Sequence, residues 1–393
     1  MSQLPAFLTL YRELIATPSV SCLDPHWDTS NKAVIDKLAG WLTTLGFEVT
    51  VNELTRQQGK FNLLAKYVPS GSNGKGGLLL AGHTDTVPWD EGRWTKDPFQ
   101  LHEADGKLYG LGSADMKGFF AFVLEALRGL DLAKFDKPIY VLATADEETT
   151  MAGARELAAF GELKPDFAII GEPTSMTPVT MHKGHLTEGI RVTGKSGHSS
   201  NPAGGVNAIE IMHDVITGLR ELQRDFQRSY HDANFAVPYP TLNFGNIHGG
   251  DAANRICACC EMHIDLRPLP GMAMDELYGL LDAKLKPLQQ QFPNAICLEH
   301  LHEAIPGYKC DPDSAIVRLV QEVTGNSAEP ANYCTEAPFV QYLGCQTIVM
   351  GPGSIAQAHQ PDEFIRLDEI APAQHQLRQI ITRVCGPTLA SQA

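Results

Sequence analysis

Several apolar, strand-like runs in this chain end on residues able to hold a metal ion. LLLAGH ends at His83, YVLATADEE ends at Glu147 and Glu148, FAIIGE ends at Glu172, and TIVMGPGS is followed shortly by His359. Asp115, in GSADMKG, sits just before a helical stretch. In an open α/β sheet, ligands bind at the carboxyl ends of parallel strands. Two histidines and three carboxylates meeting there form a cage for two divalent ions that share one bridging carboxylate. Such a pair lowers the pKa of a bound water toward neutrality. The pattern points to a metal-dependent hydrolase.

Each residue also has a plainer reading. Asp85, in HTD, can hold the His83 ring through its second nitrogen, although HTD alone reads as a strand-end turn. Asp115 follows the glycine-rich LYGLGSA, where the backbone can approach a small site closely; it could equally cap the helix GFFAFVLEAL. Successive residues leaving a strand point opposite ways, and two adjacent buried carboxylates repel. A cation relieves the conflict at Glu147 and Glu148, with one carboxylate bound and the other free as general base. The alternative is a solvated acidic helix start. An unpaired charge at Glu172, closing an apolar strand, would be costly. A loop histidine such as His359 is ordinarily just exposed. What favours chemistry is that all of them fall in one crevice.

The elements that must position these residues alternate first. FNLLAKYV, GLLLAGH, IYVLATADEE and DFAIIGE read as strands; GFFAFVLEALRGL and AGARELAAFG read as helices. That order implies a mostly parallel sheet, and near-continuous apolar runs fit strands covered on both faces. After about Met181 the order becomes βαββαβ, with VNAIEIMHDVITGLRELQRDF as a strong amphipathic helix, which describes a small α+β module. The fold expectation is an α/β domain of residues 1–182 and 304–393, interrupted by an inserted α+β domain of residues 183–303.

Bulk properties bound the partners. The 393 residues suffice for two domains, and the net charge of −15 carries no basic block. Nucleic acid and anionic membrane are therefore not expected as partners. No apolar run approaches the roughly 18 residues of a membrane helix. The amino-terminal PAFLTLYRELIATPSVS reads as an amphipathic helix, not a signal peptide. Nine cysteines, an odd count, suggest no disulfide framework and a cytoplasmic location. Cys257, Cys259 and Cys260 lack paired CxxC spacing and read as packed side chains.

AGHTDTVPWDEGRWTKDPF, LYGLGSADMKG, ATADEETTMAGAR, IIGEPTS, KSGHSSNPAGGVNAIE and GPGSIAQAHQPDE resemble the di-zinc aminoacylase and carboxypeptidase family. The likeness covers essentially the whole chain. It implies two Zn2+ per subunit, with Co2+ able to substitute. His83 and Glu172 would hold one ion, Glu148 and His359 the other, and Asp115 would bridge them. Glu147 would be the general acid/base, and Asp85 would orient His83. The peptide after Asp115 would be cis, a strain of roughly 3–4 kcal/mol. The inserted domain would act as a lid and pair two subunits into a homodimer. His198 would donate to the oxyanion, in its own or the partner's site. Arg255, whose guanidinium matches a carboxylate bidentately, would receive the substrate α-carboxylate, assisted by Asn254 and the backbone amides of Gly353 and Ser354. Glu336 would meet a side-chain ammonium. The implied substrate is a small N-acyl amino acid: N2-acetyl-L-ornithine first, with another acylated amino acid, succinyl-diaminopimelate or a dipeptide as alternatives. A non-catalytic scaffold would require a lost ligand or base, and none is missing.

Overall fold

Apolar runs with no polar face become central strands. The computed structural model describes residues 3–161 and 163–387. The strands that carry the argument are β1 (Glu48–Glu53), β2 (Phe61–Tyr67), β3 (Leu78–His83), β4 (Ile139–Thr144), β5 (Phe167–Pro173), β6 (Val179–His182), β7 (Leu186–Thr193), β8 (Thr241–Gly249), β9 (Cys259–Arg267), β10 (Ile296–His300), β11 (Tyr308–Lys309) and β12 (Gln346–Gly351). The helices are α1 (Phe7–Ile15), α2 (Lys32–Thr44), α3 (Phe119–Leu127), α4 (Ala208–Ser229), α5 (Met274–Gln291), α6 (Ala315–Thr324) and α7 (Leu367–Cys385).

The large sheet runs β1-β2-β4-β3-β5-β12-β6-β11. Its four central strands, β4, β3, β5 and β12, are parallel. The flanking pairs are antiparallel. All six residues of β3 and of β4 are buried, which is why these runs carry no alternation. β3 and β4 end together, with His83 opposite Thr144. Buried α3 packs against α1 and α7, while α2 lies on β1 and β2.

Two expected elements are shorter than their patterns. The strand in IYVLATADEE stops at Thr144, because Asp146 turns the chain with a left-handed φ of 57°. AGARELAAFG forms only a helix over Ala152–Arg155 and a 3-10 turn over Leu157–Phe160. Between them the Glu156 carboxylate leaves the helical path and accepts from Thr55 N and Thr55 Oγ1, each at 2.9 Å.

The chain divides into two compact units. The first runs up to Thr180 and includes Cys310–Glu329 and the chain from Thr335; the second is Met181–Lys309 with Pro330–Cys334. The crossings lie two residues before and six after the expected ones at 182 and 303, since β6 and β11 pair across them, His182 opposite Tyr308. Within the second unit the order β7-α4-β8-β9-α5-β10 gives an antiparallel sheet, β8-β9-β7-β10. α4 buries Ile211, Val215, Leu219, Leu222 and Phe226 at helical spacing. β9 buries Cys260, Met262, Ile264 and Leu266 at strand spacing. Asn207 caps α4 by accepting from Ile209 N at 3.1 Å. Cys257 and Cys260 are buried, Cys259 is exposed, and all nine cysteines are free thiols. Among the described residues, no helix is long and apolar enough to cross a membrane.

The second unit contains its own pH-sensitive pair. Burial works against a proton on His185, but the Asp265 carboxylate, 2.8 Å away, and Cys334 together overcome it and hold the pKa up at about 9. The folded value lies above the usual 6.5, so the pair stabilises fully below pH 6.5 and loses that contribution as pH rises through 9. His185→Gln should therefore cost about 2 kcal/mol at pH 6 and much less at pH 10. Chemical unfolding at both pH values measures this; equal losses at both would exclude the ion pair.

Candidate metal centre

His83 ends β3 with its ring held on one side. Its Nδ1 lies 3.0 Å from the Asp85 carbonyl oxygen and 3.6 Å from Asp85 Oδ1. In the neutral ring, an Nδ1 proton donated to Asp85 turns the Nε2 lone pair into the site. Nε2 lies 3.2 Å from Asp115 Oδ1 and 4.0 Å from Glu172 Oε1. The other oxygen, Asp115 Oδ2, is 3.5 Å from His359 Nε2, which is 3.0 Å from Glu148 Oε2. Asp115 thus presents one oxygen to each imidazole. Ligand atoms of His83, Asp115 and Glu148 all lie within 4.8 Å of one another.

Strained turns aim these side chains. Asp146 and His359 both have φ 57°, a left-handed backbone uncommon outside glycine and concentrated at functional sites. Lys60 Nζ pairs with Asp146 Oδ1 at 2.8 Å and with Asp28 Oδ1 at 2.7 Å. The Asp146 carbonyl accepts from Thr150 N at 3.1 Å and Met151 N at 2.6 Å. Glu148 N donates to Asp85 Oδ2 at 3.1 Å, so Asp85 steadies both His83 and the paired glutamates. On the Asp115 side, Lys117 is fully buried and donates to the Thr17 carbonyl at 2.9 Å. Burial lowers its pKa to about 8.

The electrostatics call for a cation. Burial drives the Glu172 carboxyl well above its usual range; Asp115, Glu148 and Glu336 push the same way, against His83. Burial likewise raises Glu147 strongly, with Glu172, Glu148 and Glu336 adding to it and His83 opposing. Glu148 is raised by burial and Asp115 and lowered by His359. Burial would depress His83, but Asp115, Asp85, Glu147 and Glu172 hold it well above the ordinary imidazole value. His359 is raised to about 9, chiefly by its hydrogen bond to Glu148. Glu148 Oε1 is buried without a hydrogen-bonding partner. Crowded carboxylates, an orphaned oxygen and two imidazoles form a donor set that fits divalent transition-metal ions.

Glu336 is fully buried at the start of a short helix, Ala337–Gln341, and burial raises its pKa to about 7. Gly353 has φ 83°, and its carbonyl accepts from Ser175 N at 2.6 Å; Ser354 Oγ accepts from Ala356 N at 3.3 Å. His198, Asn254 and Arg255 belong to the second unit. There His198 bridges backbone to Arg255, and its Nδ1 lies 2.7 Å from Ser200 Oγ. Ser199 N donates to the Asn254 carbonyl at 3.1 Å. Arg255, about half exposed, pairs with Asp251. The Asp115–Met116 peptide is trans, like every peptide bond among the described residues, which corrects the expected cis bond. The trans form avoids the steric cost that makes non-proline cis bonds rare.

Residues 79–383 match peptidase family M20/M25/M40. The chain belongs to this family. M20 membership makes it a metal-dependent hydrolase, and relatives agree along its length. An acetylornithine deacetylase of Edwardsiella ictaluri (strain 93-146) is 56% identical over 384 residues, 98% of this chain and 99% of the relative. Another, from Proteus mirabilis (strain HI4320), is 56% identical over 383 residues, 98% of each. The fold is that of an M20 metallo-carboxypeptidase from Sulfolobus solfataricus, with a TM-score of 0.76 at 19% identity, covering 96% of this chain and 98% of that one. A Bacillus subtilis protein described as a dinuclear metal-binding peptidase of the M20 family gives a TM-score of 0.66 at 14% identity, covering 96% and 98%.

Proposed function

We propose that this hydrolase removes the acetyl group of N2-acetyl-L-ornithine, giving L-ornithine and acetate, a step of arginine biosynthesis. The relatives' printed activity and their 56% identity over nearly the whole chain support the substrate. The geometry that carries the chemistry is Asp115, with one oxygen 3.2 Å from His83 and the other 3.5 Å from His359. Two Zn2+, with Co2+ able to substitute, would be held by His83 and Glu172 on one side and by Glu148 and His359 on the other. Asp115 would be shared between them. Bound there, the ions would supply Lewis acidity to the amide carbonyl and a water acidified toward neutral pH.

The chain's own groups complete the reaction. Glu147, beside the ligand glutamate but outside the ligand set, takes a proton from the attacking water and returns it to the leaving amine nitrogen. Asp85 keeps His83 in the tautomer that faces the site. His198 donates to the developing oxyanion, from its own or a partner subunit. Arg255 receives the α-carboxylate, with Asn254 and the amides of Gly353 and Ser354 assisting. Glu336 is the acceptor for the ornithine ammonium. Nine free thiols support a cytoplasmic setting. A homodimer through the second unit is supported by its edge strand β8, whose Ile247 is 52% exposed.

The test is a substrate panel. Purified protein of measured metal content should hydrolyse N2-acetyl-L-ornithine faster than succinyl-diaminopimelate, other N-acetyl amino acids or dipeptides. Glu336→Gln should narrow its preference for ornithine over neutral side chains. A parent enzyme favouring dipeptides overturns the substrate, and an unchanged preference in Glu336→Gln removes that residue's role.

A further inference from the structure

Glu363 is almost completely buried, yet no step of the proposed reaction uses it. It lies four residues after His359, just before a strand over Phe364–Arg366 that pairs with Lys107–Tyr109. Its carboxylate gathers the loop that carries Asp115. Oε1 accepts from Ala114 N at 2.6 Å and Asp115 N at 2.9 Å, and Oε2 accepts from Gly112 N at 3.1 Å. Its own carbonyl accepts from Gly110 N at 2.9 Å. Residues 110–115 thus wrap an internal carboxylate as an anion-binding loop wraps a phosphate. Gly112 has φ 81°, and a Cβ there would come within 2.8 Å of Lys117 Cε and 2.9 Å of Thr86 Cγ2. The loop has this one tight path.

We propose that Glu363 is a positioning residue that locks the Asp115 backbone to the His359 loop and so sets how Asp115 is shared between the two ions. The inference rests on the metal reading of the site. Asp115 and His359 come from distant parts of the chain, and their facing atoms are 3.5 Å apart. The neighbouring Asp362 anchors the same end of the loop, accepting from Thr95 N at 2.9 Å and Thr95 Oγ1 at 2.6 Å. Asp362 and Glu363 therefore fix the chain three and four residues after His359, and Glu363 ties that point directly to the Asp115 backbone. Glutamine at 363 keeps one acceptor oxygen but turns an amide toward one of the donors. Alanine leaves three buried N–H groups unmet.

The experiment compares the parent, Glu363→Gln and Glu363→Ala. Zn2+ affinity by competition with a chelating dye, the Co2+ absorption spectrum, the melting temperature and the kcat and KM pair are measured for each. Affinity should fall by roughly 10–100-fold in Glu363→Gln and further in Glu363→Ala. The Co2+ spectrum should change, and kcat should fall more than KM rises. If Glu363→Ala does not fold, the isosteric Glu363→Gln decides alone. Unchanged affinity and Co2+ spectrum, with only a lower melting temperature, would overturn the proposal and leave Glu363 a stabiliser of the fold. A parent protein that binds no metal would instead overturn the metal reading itself.

Discussion

Glu147→Gln should bind its metal ions as fully as the parent while kcat falls by roughly 10²–10⁴-fold. The adjacent glutamates have separate assignments. Glu148 faces His359 at 3.0 Å and has its amide fixed by Asp85. Glu147 takes part electrostatically: burial raises its pKa strongly, Glu172, Glu148 and Glu336 add to the rise, and His83 opposes it. A carboxyl group outside the ligand set can take a proton from the water and pass it to the amine. Glutamine preserves its size and cannot carry that proton. Metal analysis together with steady-state kinetics checks the split; a fully loaded variant with a near-parental rate would show that the proton travels elsewhere.

Stripping the ions should abolish amide hydrolysis, and adding Zn2+ or Co2+ back should restore it. The same treatment should lower the melting temperature. Ions that bind only the folded chain stabilise it by about 2.7 kcal/mol when present at a hundred times their dissociation constant. The carboxylates of Glu148 and Glu172, both raised by burial and by the nearby Asp115 charge, then lose the cations that offset this repulsion. Calorimetry and activity on the same dialysed sample test both effects. Full turnover after chelation, with metal analysis confirming removal, would defeat the proposed chemistry.

His83 and Glu172 were readable as candidates because each lies at the end of an apolar strand, and Glu147, Glu148 and His359 because each follows such a strand in the next loop, whereas Asp115 stood out only by the glycine-rich turn before its helix. β3 and β4 are buried from end to end, so a titratable residue at their carboxyl ends stands out. The βαββαβ insertion was readable for a similar reason, since α4 and β9 keep clean periods of burial. What supports the site was not readable. Glu363 reaches Asp115 N across 248 positions, and no local pattern marks that pairing. Lys60 and Asp146 look like ordinary surface charges until the fold buries them together. The antiparallel flanks of the sheet escaped as well, because β2 has the same apolar look beside either kind of neighbour.

The insertion enters along β6 and leaves along β11, and these two strands are hydrogen-bonded to each other. Entrance and exit therefore coincide, as at the neck of a loop drawn closed with a string. Loop-closure entropy grows only with the logarithm of the enclosed length. Evolution could enlarge, trim or exchange everything beyond that neck at small thermodynamic expense, leaving the central parallel strands untouched. One scaffold of this kind can vary its inserted domain without rebuilding the parallel strands of its main sheet.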